Sequence, residues 1–381
     1  MAVFTDVRFT SDVTVQALAE SVSLLMSSNP KGIMLLCTDE AASWGETFNL
    51  WVNKLKVPIF GGVFPGLIVN SRFEPKGILA VGLANDIHVS VIENISNISP
   101  HSVNVSLTSS SVHSVVIMAD ALSRQIDGYL QQVLHSISDD CCVFGGGAGT
   151  LAFHPQPCLF SPKGMHQDAM LLVEMTTEWD LAVGHGWEVL AGPYLANKVD
   201  DNRIVELNFE SADKLYQRVV EEHSSLLFDE HDFFDIAKTF PFGLARLDDT
   251  VLIRDPIKVD EKGLICAGDI PENTMLYIMR GDAQKLISAA SGAVRNTLVN
   301  MISTQHMGDC ILFDCVSRQL FLRDEFTREL QQIHAELGQH HRLVGGLVLG
   351  EIALDESGIL SLHNKTAVTA LARVNAEERV R

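Results

Sequence analysis

PIFGGVFPG, residues 58–66, ends a short apolar strand with a Gly-Gly pair and continues through Phe, Pro and Gly. Two other stretches resemble it, VFGGGAGT at residues 143–150 and LVGGLVLGE at residues 343–351. Glycine accepts positive φ and lets another backbone or a ligand come close. A Gly-Gly corner that is used three times therefore predicts either joints at which related units pack tightly, or the wall of a ligand site.

Each Gly-Gly corner stands inside a longer repeated pattern. The pattern runs strand, helix, strand with Gly-Gly, loop and strand, and apolar runs such as GIMLLC mark its strands. Three matches in the same order indicate one supersecondary unit used three times. The predicted strand, helix, corner and closing strand are 32–37, 40–56, 58–66 and 76–84 in the first unit; 114–119, 120–137, 141–150 and 168–175 in the second; and 310–315, 324–339, 342–351 and 358–364 in the third.

The segment from about residue 179 to residue 307 has a different texture. It contains a strand that runs into an acidic helix, turn-bounded strands such as TVLIRDPIKV, and a helix at about 282–301. Strands interleaved with helices, several of them apolar throughout, predict sheets that helices cover. We therefore expect an α+β fold in which mixed β-sheets pack together, flanked by helices and built from repeated β-α-β-β units. A doubly wound α/β fold is the alternative, which the strand-rich stretch 246–279 disfavours.

Composition and charge exclude several function classes. The 381 residues carry 48 acidic and 28 basic side chains, a formal net charge of −20, and this field repels nucleic acid and anionic lipid. No apolar run has the length of a membrane span, and the N-terminus lacks the pattern of a secretory signal, so we expect a cytoplasmic protein. Seven cysteines without a Cys-x-x-Cys spacing predict buried thiols rather than a zinc site.

Several motifs, taken in order, make the chain similar to a known family. They are VPIFGGVFPGLI, VFGGGAGTLAFHPQPCLF, GHGWEVLAGPYLANKV, ARLDDTVLIRDPIKVDEKGLICAGDIPENTMLYIMRGD and LVLGEIALDESGILSLHNKT. Over about residues 30–365 the sequence resembles FIST proteins, in which an N-terminal and a C-terminal FIST domain stand in tandem. The resemblance implies a leading strand and helix at 1–30, a FIST N-terminal domain at 31–220, a FIST C-terminal domain at 221–365 and a C-terminal tail at 366–381.

The resemblance also implies a function. FIST proteins are signal-transduction modules that bind small ligands, with amino acids among those proposed. We therefore expect a stand-alone bacterial sensor of an amino acid or similar metabolite, which signals to a separate partner such as a histidine kinase or a cyclic-di-GMP enzyme. One branch, the NosP proteins, binds haem to sense nitric oxide, and haem is the cofactor of that alternative.

Catalysis is not expected. The sequence lacks motifs such as G-x-S-x-G and H-E-x-x-H, and its histidines are dispersed. The corner FGGGAGT lacks the Lys-Ser/Thr of a phosphate-binding loop, and prolines follow it where that loop needs a helix. An enzyme and a ligand-free scaffold stay open as alternatives.

His185 and Trp187 are the first candidate site residues. Gly184 and Gly186 leave space on both sides of His185, and Trp187 offers a flat face to a planar ligand. A neutral imidazole here could ligate haem iron, which makes His185 the metal ligand of the haem alternative. A loop histidine held by backbone hydrogen bonds is the structural alternative.

The first Gly-Gly corner supplies a second group of candidates. Phe64, Pro65 and Gly66 suit the rigid, apolar wall of a small-molecule pocket. An ordinary core phenylalanine at a turn is the structural alternative.

Polar residues in the second half of the chain supply the third group. Arg254 has the side chain best suited to hold a ligand carboxylate, and Asp255 or Glu351 could hold its ammonium group. His363 and Asn364 end a strand of the third unit and could converge with Glu351 across the pocket. An Arg–Asp pair that fixes a turn, and polar groups at strand ends, are the structural alternatives.

Overall fold

The computed structural model describes residues 3–138, 140–246, 250–301, 305–338, 340–354 and 358–375. Within these ranges the α-helices are α1 (Val15–Leu25), α2 (Gly45–Val52), α3 (Ile126–Leu134), α4 (Ala212–His223), α5 (Phe233–Ala237), α6 (Ala283–Asn300), α7 (Val316–Leu322) and α8 (Phe326–Leu337). No described helix combines the length and the apolar character needed to cross a membrane.

The strands fall into three groups along the chain. Those that precede and form the first unit are β1 (Phe4–Thr10), β2 (Gly32–Cys37), β3 (Ile59–Val63), β4 (Leu67–Val69), β5 (Arg72–Glu74) and β6 (Ile78–Leu83). Those of the second unit and its flanks are β7 (Ile87–Glu93), β8 (Ser114–Asp120), β9 (Cys142–Ala148), β10 (Leu159–Ser161), β11 (Gly164–His166), β12 (Ala169–Met175) and β13 (Trp179–Gly184). The remainder are β14 (Glu188–Ala196), β15 (Lys198–Asp200), β16 (Arg203–Leu207), β17 (Glu210–Ser211), β18 (Phe242–Ala245), β19 (Val251–Arg254), β20 (Pro256–Asp260), β21 (Gly263–Cys266), β22 (Thr274–Arg280), β23 (Gln305–Cys315), β24 (Leu343–Val348), β25 (Glu351–Leu354), β26 (Leu360–His363) and β27 (Ala367–Asn375).

The three repeated units share one topology. In each, the two strands that flank the helix run parallel, as β2 with β3, β8 with β9 and β23 with β24. The closing strand returns antiparallel on the other side of the first strand, as β6, β12 and β27 do. The internal repeat predicted from the sequence is therefore a structural repeat, but the predicted closing strand of the third unit is wrong: residues 358–364 contain β26, which pairs with β25 in a hairpin, and β27 closes the unit.

Each unit lends a β-hairpin to the sheet of another unit. The hairpin β4–β5 of the first unit extends the third sheet through β24, β10–β11 of the second unit extends the first sheet through β3, and β25–β26 of the third unit extends the second sheet through β9. The resulting six-stranded sheets have equivalent orders, β1-β6-β2-β3-β10-β11, β7-β12-β8-β9-β25-β26 and β13-β27-β23-β24-β4-β5. The exchange is cyclic, so the three sheets pack around a shared apolar core.

The Gly-Gly corners are the joints of this exchange. A Cβ atom on Gly61 would lie 1.8 Å from the carbonyl oxygen of Leu35 on the neighbouring parallel strand. The corresponding distances for Gly145 and Gly345 are 1.7 and 1.8 Å. Only glycine permits this approach between the two parallel strands of one unit, and the same three glycines pair with the hairpin that comes from another unit, so tight packing accounts for all three positions.

An inserted body lies between β13 and β23. It consists of the antiparallel sheets β14-β22-β18-β19 and β15-β16-β21-β20, with β17 paired to β16 and with α4 and α5 alongside. Its separate core includes Tyr216 of α4, whose hydroxyl donates to the carbonyl oxygen of Phe240 at 2.7 Å. The α+β prediction, with mixed sheets packed together and flanked by helices, is confirmed, and the doubly wound alternative is wrong because all five sheets contain antiparallel pairs.

Two boundaries differ from those predicted. The helix of the second unit begins at Ile126 rather than at residue 120, because Asp120 ends β8 and its carboxylate accepts N–H groups of Leu122 at 3.1 Å and Asp168 at 2.7 Å. Residues 121–125 form a turn instead. The predicted tail at 366–381 is wrong as far as residue 375, since β27 pairs with both β13 and β23, and residues 376–381 lie outside the described part of the chain. The division at 220/221 stays a prediction.

Residues 211–381 are not expected to fold alone. Four of the five sheets, all except the one that holds β2, take strands from both sides of residue 211. The isolated segment would expose unpaired strands and apolar surface. We expect it to lack a cooperative denaturant transition by circular dichroism, and expect co-expression with residues 1–210 to restore one. A cooperative transition in the isolated segment would contradict this sheet arrangement.

Candidate ligand-binding cavity

A cavity of about 850 Å³ lies where the second unit, the inserted body and the third unit meet. Its volume falls in the range of about 300–1,000 Å³ that is usual for ligand sites. The segments that follow β8 and β23, the first strands of two equivalent units, face each other across it. The lining residues are 96, 121–127, 151 and 153 from the second unit and its flank, 200–203, 234, 255, 257 and 266–269 from the inserted body, and 315–317, 320, 349–350, 362 and 364 from the third unit.

Asp255 forms a buried polar part of the cavity wall. It is 2% exposed, and its Oδ2 atom accepts a hydrogen bond from the Ser317 hydroxyl at 2.6 Å. Its backbone N–H donates to Oδ1 of Asn364 at 3.1 Å. Lys365 Nζ lies 3.1 Å from Asp255 Oδ1 but outside hydrogen-bond geometry, so this oxygen accepts no hydrogen bond from the described residues. Asp255 and Asn364, two of the predicted site residues, thus both reach the cavity.

Lys365 occupies the space that the sequence analysis gave to a ligand at Trp187. Its Nζ atom lies 5.0 Å from the centre of the Trp187 ring and donates to the carbonyl oxygen of Lys238 at 2.9 Å. The Trp187 indole N–H donates to the carbonyl oxygen of Lys365 at 3.0 Å. Trp187 is 3% exposed, so its face packs on a buried lysine and is not presented to the cavity.

Arg254 supports the cavity wall from behind. Its Nε atom donates to the carbonyl oxygen of Asp269 at 2.9 Å, and its Nη1 atom donates to the carbonyl oxygen of Leu362 at 2.7 Å. Its Nη2 atom lies 3.3 Å from the Asp127 carboxylate. These contacts occupy all three guanidinium nitrogens, so Arg254 holds neighbouring segments together. It does not have the free pair of N–H donors that the sequence analysis assigned to a ligand carboxylate.

Glu351 and His363 do converge, but behind the cavity. They are opposite each other in the β25–β26 register, and both are buried. Glu351 Oε2 accepts the Thr366 N–H at 3.1 Å, and burial raises the carboxyl pKa well above its usual value. Burial, followed by Arg246 and Arg254, lowers the pKa of His363 to about 3. Neither side chain is part of the cavity lining, in contrast to Asn364 beside them.

The first Gly-Gly corner lies away from the cavity. Phe64 is fully buried in the core shared by the three sheets, and Gly66 is buried against the ring of Phe73. Pro65 is partly exposed. None of the three lines the cavity, so the expectation that this corner walls the ligand site does not fit the structure, whereas the second and third corners do lead into the lining.

The arrangement at His185 does not fit haem ligation. Its Nδ1 atom accepts the backbone N–H of Trp187 at 3.0 Å. Burial and the nearby Arg318 lower the pKa of His185 to about 4, so the ring is neutral at pH 7 and carries its proton on Nε2. Neither nitrogen then has a free lone pair for iron. His185 does not line the cavity, and the described residues contain no group of three or more His, Cys, Asp or Glu placed to hold a metal ion.

A hemin titration tests this conclusion. We expect the wild-type protein and His185→Ala to give the same visible spectrum, because the Trp187 amide already uses the lone pair that iron would need. The measurement is Soret absorbance against added hemin. A sharp band that saturates at one haem per chain and disappears in His185→Ala would overturn it.

The neutral His185 also predicts an acid-sensitive stability. A pKa of about 4 in the folded state, against ~6.5 unfolded, means that the folded protein binds fewer protons below pH ~6.5, so stability falls as the pH drops from there towards 4. His185→Asn keeps a hydrogen-bond acceptor but does not titrate. We expect it to reduce the slope of unfolding free energy against pH by up to about 1.4 kcal/mol per pH unit. The exposed His88→Asn is the control, and equal slopes in all three proteins would contradict the argument.

Sequence reasoning missed most of the cavity lining. Asp127 lies in the first turn of α3, Asp201 and Asp269 stand on two loops of the inserted body, and Ser317 lies in the first turn of α7. One signal was available, since both 121–127 and 315–317 follow the first strand of a repeated unit. Aligning the units would have placed these segments at equivalent strand ends, where ligand sites of parallel sheets gather.

The comparisons with known proteins agree with this architecture. Residues 31–210 match the model of the FIST N domain, and residues 212–354 match the model of the FIST C domain. A search among curated proteins found no match. FIST domains are sensory domains that bind small ligands in signalling proteins. Because the two matches follow each other and together cover most of the chain, the protein belongs to the FIST family, with its N and C domains in tandem.

Proposed function

We propose that this protein is a stand-alone FIST sensor that binds a small organic ligand, an amino acid or a similar metabolite, in the 850 Å³ cavity, and that it signals to a separate output partner. The observation that supports the proposal is the position of the cavity. It contacts the second unit, the inserted body and the third unit at once. A ligand bound there touches three parts of the fold, and those parts include both family domains.

The position of the cavity gives ligand binding a way to change the conformation of the protein. A ligand shifts a conformational equilibrium only by its different affinities for the two states. Side chains from three bodies meet at this cavity, so a change in their spacing alters the contacts available to the ligand. The proposal places the protein in the cytoplasm with a histidine kinase or a cyclic-di-GMP enzyme as its partner, and it assigns no catalytic step to the chain.

A thermal-shift screen with a blocked cavity tests the proposal. The panel consists of amino acids and related amines and acids, and a ligand at a hundredfold excess over its Kd adds about 2.7 kcal/mol of stability. Leu122 lines the cavity and is partly exposed, so Leu122→Trp should fill space without disturbing the core. We expect the ligand-induced shift to disappear in Leu122→Trp.

Leu50→Trp is the matched control, because Leu50 is 59% exposed on α2 and does not line the cavity. It should keep the full shift. An equal shift in both variants would move the binding site elsewhere. No shift from any panel member in the wild-type protein would count against a sensor of these metabolites.

A further inference from the structure

The charges on the cavity wall are unbalanced. Its lining contains five aspartates and two arginines, and no lysine, histidine or glutamate. The arginines are Arg124 and Arg203, of which Arg203 is already held by Asp200 at 3.4 Å and by Asp260 at 2.7 Å. The lining residues therefore carry an excess of negative charge, which favours a cation wherever no basic group of the protein offsets it.

Some of these carboxylates are neutralised by the protein itself. Asp127 faces Arg254, and Asp255 faces Lys365. Asp201 and Asp269 are different, since neither carboxylate makes a hydrogen bond or an ion pair with any residue in the described ranges. Asp269 is open to solvent but set in a concavity, and partial burial, Asp127 and Asp201 raise the pKa of its carboxyl against the lowering effect of Arg254.

Asp255 gives an independent indication from deeper in the cavity. This carboxylate is 2% exposed and lines the cavity, and its Oδ1 atom accepts no hydrogen bond from the described residues. Lys365 Nζ at 3.1 Å offsets its charge without a hydrogen bond, so Oδ1 keeps acceptor capacity that a donor on a bound molecule can use.

The other part of the wall is apolar. Leu151 and Phe153 are 41% and 51% exposed although both are large apolar side chains, and they stand on the loop that follows β9. Phe153 is held at φ +51°, a conformation that costs energy for a bulky residue. Leu320 and Leu349 continue this surface on the third unit. The exposed apolar area suits an uncharged hydrocarbon or aromatic body.

Building on the proposed function, we propose that the cavity takes an organic cation, an amine carried on an apolar or aromatic body. The ammonium group lies at Asp201 and Asp269, and the body packs on Leu151 and Phe153. Charge-assisted hydrogen bonds to carboxylates hold the amine. The acidic part of the wall selects against anions, and the apolar part selects against small polar solutes.

Three isosteric probes test the charge requirement, namely 4-phenylbutylamine, 4-phenylbutanol and 4-phenylbutyrate. We expect isothermal titration calorimetry of the full chain to give the amine an affinity at least about tenfold above that of the alcohol, with still weaker binding of the carboxylate. Asp269→Asn keeps the shape of the side chain, and it should reduce the preference for the amine about tenfold. Asp229→Asn, an exposed aspartate outside the cavity lining, should leave it unchanged.

The outcomes separate this inference from the proposed function. Equal affinity for amine and alcohol, a preference for the carboxylate, an unchanged preference in Asp269→Asn, or no binding of any probe at millimolar concentration would overturn the cation assignment. If one of the first three results is found and the probes no longer bind Leu122→Trp, the cavity remains a ligand site although the cation assignment fails. If no panel member stabilises the wild-type protein in the thermal-shift screen, the proposed function fails instead.

Discussion

Gly61→Ala is expected to destabilise the protein by more than about 4 kcal/mol, a size seen when a mutation breaks a specific structural requirement. The added Cβ atom would lie 1.8 Å from the carbonyl oxygen of Leu35, which belongs to the β2–β3 parallel pair. Gly61 also has φ +145°, which side chains rarely adopt. To relieve this clash, β2 and β3 must separate. The hairpin β10–β11, which pairs with Gly61 through Phe160, would then lose its register. Urea denaturation followed by circular dichroism measures the loss.

Gly292→Ala is the matched control for this substitution. Gly292 lies inside α6, and a Cβ atom there meets nothing within 4 Å. Alanine has the higher helix propensity, so this variant should gain about 0.5–1 kcal/mol. The two glycine variants are thus expected to change stability in opposite directions. A loss below about 1 kcal/mol in Gly61→Ala would show that the parallel strands adjust without breaking the joint.

Arg318→Met is expected to cost about 3–5 kcal/mol, the usual loss when one partner of a buried ion pair is removed. Arg318 is fully buried and pairs with the equally buried Glu329. It also donates to the carbonyl oxygens of His185 at 2.7 Å, Leu286 at 3.1 Å and Lys365 at 3.1 Å. One guanidinium therefore joins α7, α8, α6 and the turns next to β13 and β27. Its removal leaves the buried Glu329 and Asp314, the latter 3.4 Å away, without a cation and takes a donor from three carbonyl oxygens, of which that of Lys365 keeps the Trp187 indole N–H.

Two further variants make the Arg318 result specific. Arg328→Met removes an exposed pair with Glu325 at 3.0 Å and should cost at most about 1 kcal/mol. Arg318→Met combined with Glu329→Leu removes both charges, so it should recover part of the stability lost in the single variant. A double variant that is less stable than Arg318→Met would show that the carbonyl contacts, and not the stranded charge, carry the loss. A cost for Arg318→Met no larger than that of Arg328→Met would contradict the buried-pair argument.

The residues that line the cavity could be predicted from the sequence only in part. The sequence assigns Asp255 to the ammonium group of a ligand, and this side chain does reach the cavity, where it pairs with Lys365, a residue that no local pattern connects to it. Arg254 is its direct neighbour, yet it is not part of the lining and instead binds Asp127 and two carbonyl oxygens of lining residues. Arg254 ends β19 and Asp255 stands between β19 and β20, so the segments that pack around this turn decide which of the two side chains lines the cavity.

The three repeated units, their order and the need for glycine at each corner follow from the sequence alone, although the closing strand of the third unit does not. These features are local, because an apolar run of strand length and a residue without a Cβ atom leave the same signature wherever they occur. The exchange of hairpins between units, the place of Phe64 in the core, and the meeting of Asp127, Asp201 and Asp269 around one cavity follow only from the tertiary structure. The physical reason is that they depend on hydrogen bonds and charges between residues far apart in the chain, such as the pairing of β4 with β24.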